Sequence, residues 1–401
     1  MLNALNELQT AHSDKLCHEI SKLIESENGW IGFDQFMNLA LYAPALGYYS
    51  AGARKFGEQG DFITAPMMGS LFGRCLANQC VEILARCDQS RCRSVVEFGA
   101  GTGELMLDIL LHLDSQKSLP DEYVVLETSA DLQERQRALI ETSKPEYLEI
   151  IRWTNSLDEN VNGIIIANEL LDAMPVKRFE IDENSVAREL GVTLNDGDSG
   201  EGGNAFLWKL GNEPFENLEQ DRLKQHQLEA GYQSEIGLQA EAWIRSIGDK
   251  LEIGAMVLID YGFPASEYYH YDRRSGTLMC HFQHVAHHDP FKNPGLQDIT
   301  AHVDFSALSD AAAEINLDLA GYCNQASFLM SLGILDAYQK VLSNDSTTED
   351  QTTRESLEMA QQIKKLTLPH EMGELFKVIA FTRNFDHPLK GFDMQNQAGR
   401  L

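Results

Sequence analysis

Apolar and polar positions change rhythm along the chain, and the rhythm predicts its elements. Ser94-Val95-Val96 opens a short apolar run that reads as a buried strand. Just beyond it, Leu105, Met106, Ile109, Leu110 and Leu113 recur at helical spacing, so Gly99, Gly101 and Gly103 fall in a strand-to-helix turn. The alternation continues through strands at Tyr123–Glu127, Leu148–Trp153 and Ile164–Asn168. Such order predicts a parallel sheet with right-handed crossovers. A helix across Leu238–Ile247 leads back to a buried strand, Met256–Asp260, and Phe376–Phe381 reads as a final strand.

Other stretches keep a different pattern. Residues 1–85 look mainly helical around a loop from Ala43 to Pro66. The turn-rich run Asn195–Asn204 joins two β-rich runs into a hairpin-like insertion over 183–231. Residues 327–366 are helical in pattern, interrupted by the polar loop Ser343–Thr353. No internal repeat is present.

Composition narrows the function classes. At 401 residues the chain can bury a sizeable core, as one large or two coupled domains. Its 61 acidic and 32 basic residues give a formal charge of -29, which opposes nucleic-acid binding and suits a basic partner. No apolar run is long enough to span a membrane, so no insertion is expected. Positions 1–30 read neither as a secretory signal nor as a mitochondrial presequence, and the expected location is the cytoplasm. The seven cysteines include no C-x-x-C pair, which argues against a disulfide framework. Phe72, Leu76, Cys80, Ile83 and Cys87 form one helical stripe, so most of Cys75, Cys80, Cys87 and Cys92 are read as packing, and zinc is not expected there.

The glycine turn carries the chemistry. It exposes bare backbone and the positive end of a helix to a ligand. A dinucleotide fingerprint needs G-x-G-x-x-G, and Glu104 or Met106 stands where the third glycine belongs. Glu97-x-Gly99-x-Gly101-x-Gly103 instead resembles the first motif of class I S-adenosylmethionine (SAM) methyltransferases. Glu127 ends the next strand, where a carboxylate can accept bonds from both ribose hydroxyls.

Further segments resemble one family. They are Gly60–Pro66, Ala167–Val176, Ile259–Gly262, Gly276–Leu278, Gln297–Phe305 and Pro369–Val378. Together they are similar to the family of the mitochondrial complex I assembly methyltransferase, a protein arginine methyltransferase, and its bacterial homologues. The match runs from about Phe33 to Phe381. Met67 and Gly69 depart from the family pattern, which usually shows an acid and a hydroxyl residue there.

The resemblance implies an α/β, Rossmann-like class I methyltransferase sheet with an N-terminal helical region, a β-rich insertion and C-terminal helical additions. The expected segments are an N-terminal helical region with a cofactor-covering loop (1–85), the first part of the core (86–182), the insertion (183–231), the second part of the core (232–326), a helical addition (327–370), and a final strand and tail (371–401). Its cofactor would be SAM. The partner expected is a protein substrate with a basic target, and a homodimer is left open.

Candidate residues follow from motif and position. Glu97 would anchor the turn through backbone amides or the methionine ammonium, and Gly99, Gly101 and Gly103 would admit the cofactor. Glu127 would hold the ribose, with Asn155 or Ser156 beside the adenine. Asp61 and Thr64 would belong to a covering flap. Asn168, Glu169 and Asp172 follow a buried strand at its carboxyl end, where paired carboxylates can hold a guanidinium. The alternative for Asp172 is capping the next helix. Asp260 has a similar positional claim, and His302 is a candidate proton acceptor. His281, His284, His287 and His288 could meet on a helix, yet methyl transfer needs no metal and none is expected. A non-catalytic SAM-binding assembly factor, or a methyltransferase for another acceptor, remains the rival reading.

Overall fold

The computed structural model describes residues 5–51, 65–195, 204–215, 217–342 and 349–401, with side chains at 217–218, 340–342 and 349–355 left out. Asp61 and Thr64 lie outside the described residues.

From the N-terminus come α1 (Glu7–Ser26), α2 (Phe33–Tyr42) and α3 (Leu71–Arg86). Then alternate β1 (Ser94–Phe98), α4 (Glu104–Ser115), β2 (Glu122–Leu126), α5 (Ala130–Ser143), β3 (Ile151–Thr154) and β4 (Val161–Asn168). Next are β5 (Lys177–Ile181), β6 (Ala187–Leu194), β7 (Phe206–Pro214), α6 (Asn217–Lys224) and β8 (Gln233–Ile236). Helix α7 (Leu238–Gly248) leads into β9 (Leu251–Phe263) and α8 (Ala265–Tyr268). Short strands follow: β10 (Met279–Phe282), β11 (Val285–His287), β12 (Asp298–Thr300) and β13 (Val303–Asp304). The chain closes with α9 (Phe305–Glu314), β14 (Asp318–Asn324), α10 (Gln325–Ser331), α11 (Ile334–Leu342), α12 (Glu349–Thr367), α13 (Met372–Leu375) and β15 (Phe376–Arg383).

Two compact units share the chain. One takes the residues up to 62, Asp172–Glu241 and Phe263–Asp304; the other takes residues from 63 to Leu171, Ala242–Gly262 and Phe305–Leu401.

The second unit holds the expected sheet, in the order β14-β15-β9-β4-β1-β2-β3. Strands β3, β2, β1, β4 and β9 run parallel to their neighbours. Strand β15 is antiparallel both to β9 and to β14. Buried on both faces, these strands are nearly continuous apolar runs, as in Ile164-Ile165-Ile166. Helices α3 and α4 bring Phe72, Leu76, Cys80, Ile83, Met106 and Ile109 into one core with Val95, Val125 and Ile164. The stripe that carries Cys80 and Cys87 is therefore packing.

The first unit contains an antiparallel sheet in the order β7-β6-β5-β8 and a three-stranded sheet in the order β11-β10-β12. The hairpin β6–β7 matches the two β-rich runs expected on either side of 195–204. Helices α1 and α2 pack Leu16, Ile20, Phe33 and Phe36 against Val192, Phe206, Phe291 and Ile299. Phe36 meets Phe206 and Phe291 edge-on, with ring centroids 5.6 and 5.2 Å apart.

Three local expectations are corrected. The strand expected over Leu148–Trp153 begins only at Ile151, because Pro145–Glu149 forms a 3₁₀ turn with its proline at the start. The polar stretch 343–353 is helical from Glu349, and its first part, 343–348, lies outside the described residues. His281 and His287 do not share a helix: they sit on strands β10 and β11, joined through Gln283 and His284 at positive φ.

Candidate active site

The site begins where β1 leaves the sheet. Gly99, Gly101 and Gly103 all take positive φ, at 67°, 54° and 94°, a backbone that side chains with a Cβ resist. A Cβ at Gly101 would meet nothing within 4 Å, so the backbone there borders open space. Gly103 is the N-cap of α4, with no side chain capping the free amides of the first turn. An anion or polar group placed there would meet backbone N–H groups and the helix dipole.

Helix α5 locks this turn from the side. The buried Gln136 donates its amide to Gly101 O at 2.8 Å, and its carbonyl accepts from Trp153 Nε1 at 2.9 Å. Neither residue was singled out in the sequence. The signal was a polar glutamine on the buried stripe of a helix, which becomes meaningful only once the turn lies beside it.

Glu97 is 2 % exposed and accepts a bond from the Tyr123 hydroxyl in β2 at 2.5 Å. Its bond runs across the sheet, and the expected bonds to the turn amides are not made. Burial pushes its carboxyl up to about 7, opposed by the Tyr123 bond and helped by the nearby charge of Glu127. A protonated or a charged Glu97 is thus available near neutral pH.

Glu127 stands one residue past β2 and is buried. Ser129 N–H donates to its Oε1 at 2.9 Å. Gln133 reaches back from α5 to donate to Glu127 O and, at 3.4 Å, to Asn155 Oδ1. That brings Asn155 beside Glu127 at the carboxyl ends of β2 and β3. Ser156 is directed elsewhere, its hydroxyl donating to Asp158 at 3.0 Å.

At the carboxyl end of β4, Asn168 Nδ2 donates to Glu169 Oε1 at 3.2 Å. Asn168 Oδ1 is buried without a hydrogen-bond partner, an acceptor left over for something outside the protein. Glu169 holds φ at 51°, unusual for a residue with a long side chain, and its N–H is tied to Ile259 O at 2.9 Å. The buried Asp260 fixes this end of the sheet, accepting from Leu171 N–H and Tyr261 N–H, each at 2.9 Å.

Asp172 and His302 belong to the other compact unit. No helix follows Asp172, so the capping alternative fails; instead its carbonyl accepts from Ala301 N–H at 2.9 Å. His302 N–H donates to the Thr277 hydroxyl at 3.0 Å, and that hydroxyl donates to the buried Glu235 at 3.0 Å. The His302 ring lies 5.2 Å from Phe263. Asp304 is engaged by Arg222, which also reaches Glu241. Among the described residues no group of His, Cys, Asp and Glu is arranged to hold a metal ion.

A five-strand parallel run with β15 antiparallel between β9 and β14, and a glycine turn opening onto an uncapped helix, define a class I SAM-dependent methyltransferase. Residues 75–323 match a family described as S-adenosyl-L-methionine-dependent methyltransferases, and the chain belongs to that family. It is similar to a COG1565 superfamily member from Burkholderia thailandensis bound to S-adenosyl-homocysteine, at 39% identity and TM-score 0.91 over 100% of both chains. It is 28% identical to "Protein arginine methyltransferase NDUFAF7, mitochondrial" of Danio rerio, covering 90% of this chain and 85% of that one. The human protein of that name is also 28% identical, over 88% of this chain and 80% of its own. Those names place the relatives in mitochondria, so they lend the cytoplasmic expectation no support. Among the described residues no helix is long and apolar enough to cross a membrane.

The cofactor is SAM, and the residues fit it. The open space over Gly101, the uncapped start of α4 and the leftover acceptor on Asn168 are the features a zwitterionic nucleoside needs.

Proposed function

We propose that this protein transfers the methyl group of SAM to a guanidinium nitrogen of an arginine in a protein. The observation that carries the reading is the carboxylate of Glu169, set at the carboxyl end of β4 in a strained backbone and oriented by Asn168. The names of the relatives support arginine as the acceptor.

SAM supplies a methyl group on a positive sulfonium, open to in-line attack. The chain's part is to align the acceptor, exclude water and receive one proton. Gly99, Gly101 and Gly103 would let the cofactor lie on bare backbone. The α4 amides would face its carboxylate, and Glu127 would take its ribose, with Asn155 beside the adenine. Glu97 ties β1 to β2 through Tyr123. Glu169 would bond the acceptor's N–H groups, turning one nitrogen lone pair toward the methyl carbon. The nitrogen that takes the methyl group would have to lose one N–H proton, and Glu169 would receive it.

The test is mass spectrometry after incubating the protein with isotopically labelled SAM and a protein extract. Label recovered as methylarginine supports the reading. Label only in another residue or a small molecule overturns it.

A further inference from the structure

The motif Gln297–Phe305 is only partly explained by structural duty. Gln297 braces its own loop through Asp289 O and Pro290 O at 3.1 and 3.0 Å, and Asp304 holds Arg222. Asp298 accepts from Ile299 N–H at 3.0 Å, whereas Thr300 has no such duty. Ile299 between them packs into the α1–α2 core, so the two polar side chains share the opposite face of β12. Each is 2 % exposed. The Thr300 hydroxyl has no hydrogen-bond partner, which costs stability unless something else meets it.

Two other segments of the same unit converge here. After α2 the chain folds back tightly, with Tyr48 N–H donating to Ala40 O and Tyr49 N–H to Leu41 O. A Cβ at Gly47 would stand 2.5 Å from Ala43 N, so this reversal demands a glycine. The result is a parallel stack of Tyr49 on Tyr42, centroids 5.5 Å apart and planes 20° apart. The Tyr42 hydroxyl donates to Ala173 O at 3.0 Å, next to the buried Asp172. Asp172 O in turn accepts from Ala301 N–H, one residue past Thr300. Burial holds both tyrosine hydroxyls above their ordinary range, and the charges of Asp298 and Asp172 push the same way. Tyr42 remains 37 % exposed, so the stack keeps an edge toward solvent. His281 faces Asp298 across the ladder.

We propose that Tyr42, Tyr49, Asp172, Asp298 and Thr300 form a pocket for the guanidinium of a substrate arginine. The inference rests on the arginine reading above and goes beyond it by naming the groups that recognise the side chain. A guanidinium is planar, cationic and carries five N–H donors. Stacked rings suit its plane and its charge. The two carboxylates each accept one of its N–H groups. The otherwise unmet Thr300 hydroxyl accepts one more. A lysine ammonium has no plane to stack and a different donor geometry, so the pocket discriminates against it.

The experiment uses the full chain saturated with S-adenosyl-homocysteine and titrated with N-acetyl-arginine-N-methylamide, with the matching lysine compound as control. The parent is expected to bind the arginine probe at least about tenfold more tightly than the lysine probe. Asp298→Asn should weaken it about tenfold, and Thr300→Val about fivefold, as loss of one hydrogen bond to a charged group predicts. Thr300→Val is the decisive variant: it removes a hydroxyl that bonds nothing in the protein, so a merely structural role predicts unchanged or higher thermal stability and unchanged probe affinity. Affinity for S-adenosyl-homocysteine should hold in both. Equal probe binding by parent and Thr300→Val, or no preference for arginine over lysine, overturns the pocket even if the enzyme methylates arginine. Conversely, weakened binding in both variants supports the pocket even if methylarginine never appears, an outcome that overturns the proposed function alone.

Discussion

At the scale of single residues, chemistry is decided by what surrounds a polar group. Glu97 takes the carboxyl position of the motif, but burial raises it from 4.5 to about 7 against the opposing bond from Tyr123. Its folded form therefore keeps a proton that the unfolded chain has released. The stability this gives is complete below about 4.5 and is lost as pH rises to about 7. Glu97→Gln, which still accepts from Tyr123, should remove that decline. At pH 8 the cofactor-free variant should exceed the parent by roughly 1–3 kcal/mol in chemical denaturation. Parallel pH profiles for the two proteins would refute the raised carboxyl. Gly101 faces open space at positive φ, so Gly101→Ala should cost about 1 kcal/mol of stability. Calorimetric titration should show its affinity for SAM falling at least about tenfold, because the new methyl occupies space proposed for the cofactor. For Glu169→Gln we expect methyl transfer to drop about 100-fold with SAM binding intact. Loss of both together would mean that the residue shapes the cofactor site instead.

At the scale of elements, the turn is held by a neighbour that its own sequence does not name. Helix α5 sends Gln136 to Gly101 O and to Trp153, so one buried amide ties helix, turn and β3 together. Gln136→Leu should leave both partners unmet and lower stability by about 2–4 kcal/mol, with SAM affinity falling as the turn loosens. A thermal melt within a degree of the parent would count against this bracing role. Much at this scale was legible in the chain. The run of β-branched and aliphatic residues at β1, β2, β4 and β9 marked the buried strands, and the stripe from Leu105 to Leu113 marked α4. The four histidines were not legible, because spacing of three is shared by helices and by a tight hairpin. Likewise Asp172 preceded no helix, since the chain runs on into β5.

At the scale of the whole molecule, the charge of -29 bears on the substrate. Attraction of a basic protein should make the apparent KM rise as ionic strength increases from 0.05 to about 0.3 M, while kcat changes little. A salt-independent KM would show that docking is driven by shape and apolar contact. Division into two compact units also has a consequence for how residues are grouped. Glu97, Glu127, Asn168 and Glu169 lie in one unit, whereas Asp172, Asp298 and His302 lie in the other. Chain order hides this, because the first unit is assembled from three separate stretches and the second from three more.

The chain by itself determined the strand–turn–helix at Gly99–Gly103 and the acid at Glu127. Both depend on local backbone and on a short apolar run, and such information sits within about ten residues. Periodicity likewise determined which faces are apolar. Only the tertiary structure decided that β15 runs antiparallel between β9 and β14, for strand order depends on contacts between distant residues, such as Phe376 with Tyr261 and Asp318 with Thr382. It alone turned Glu97 toward Tyr123, tied Gln136 to Gly101, and set Tyr42 and Tyr49 near Asp298. Each of those arrangements joins distant segments, and a polar side chain reveals its task only when its partners are in place.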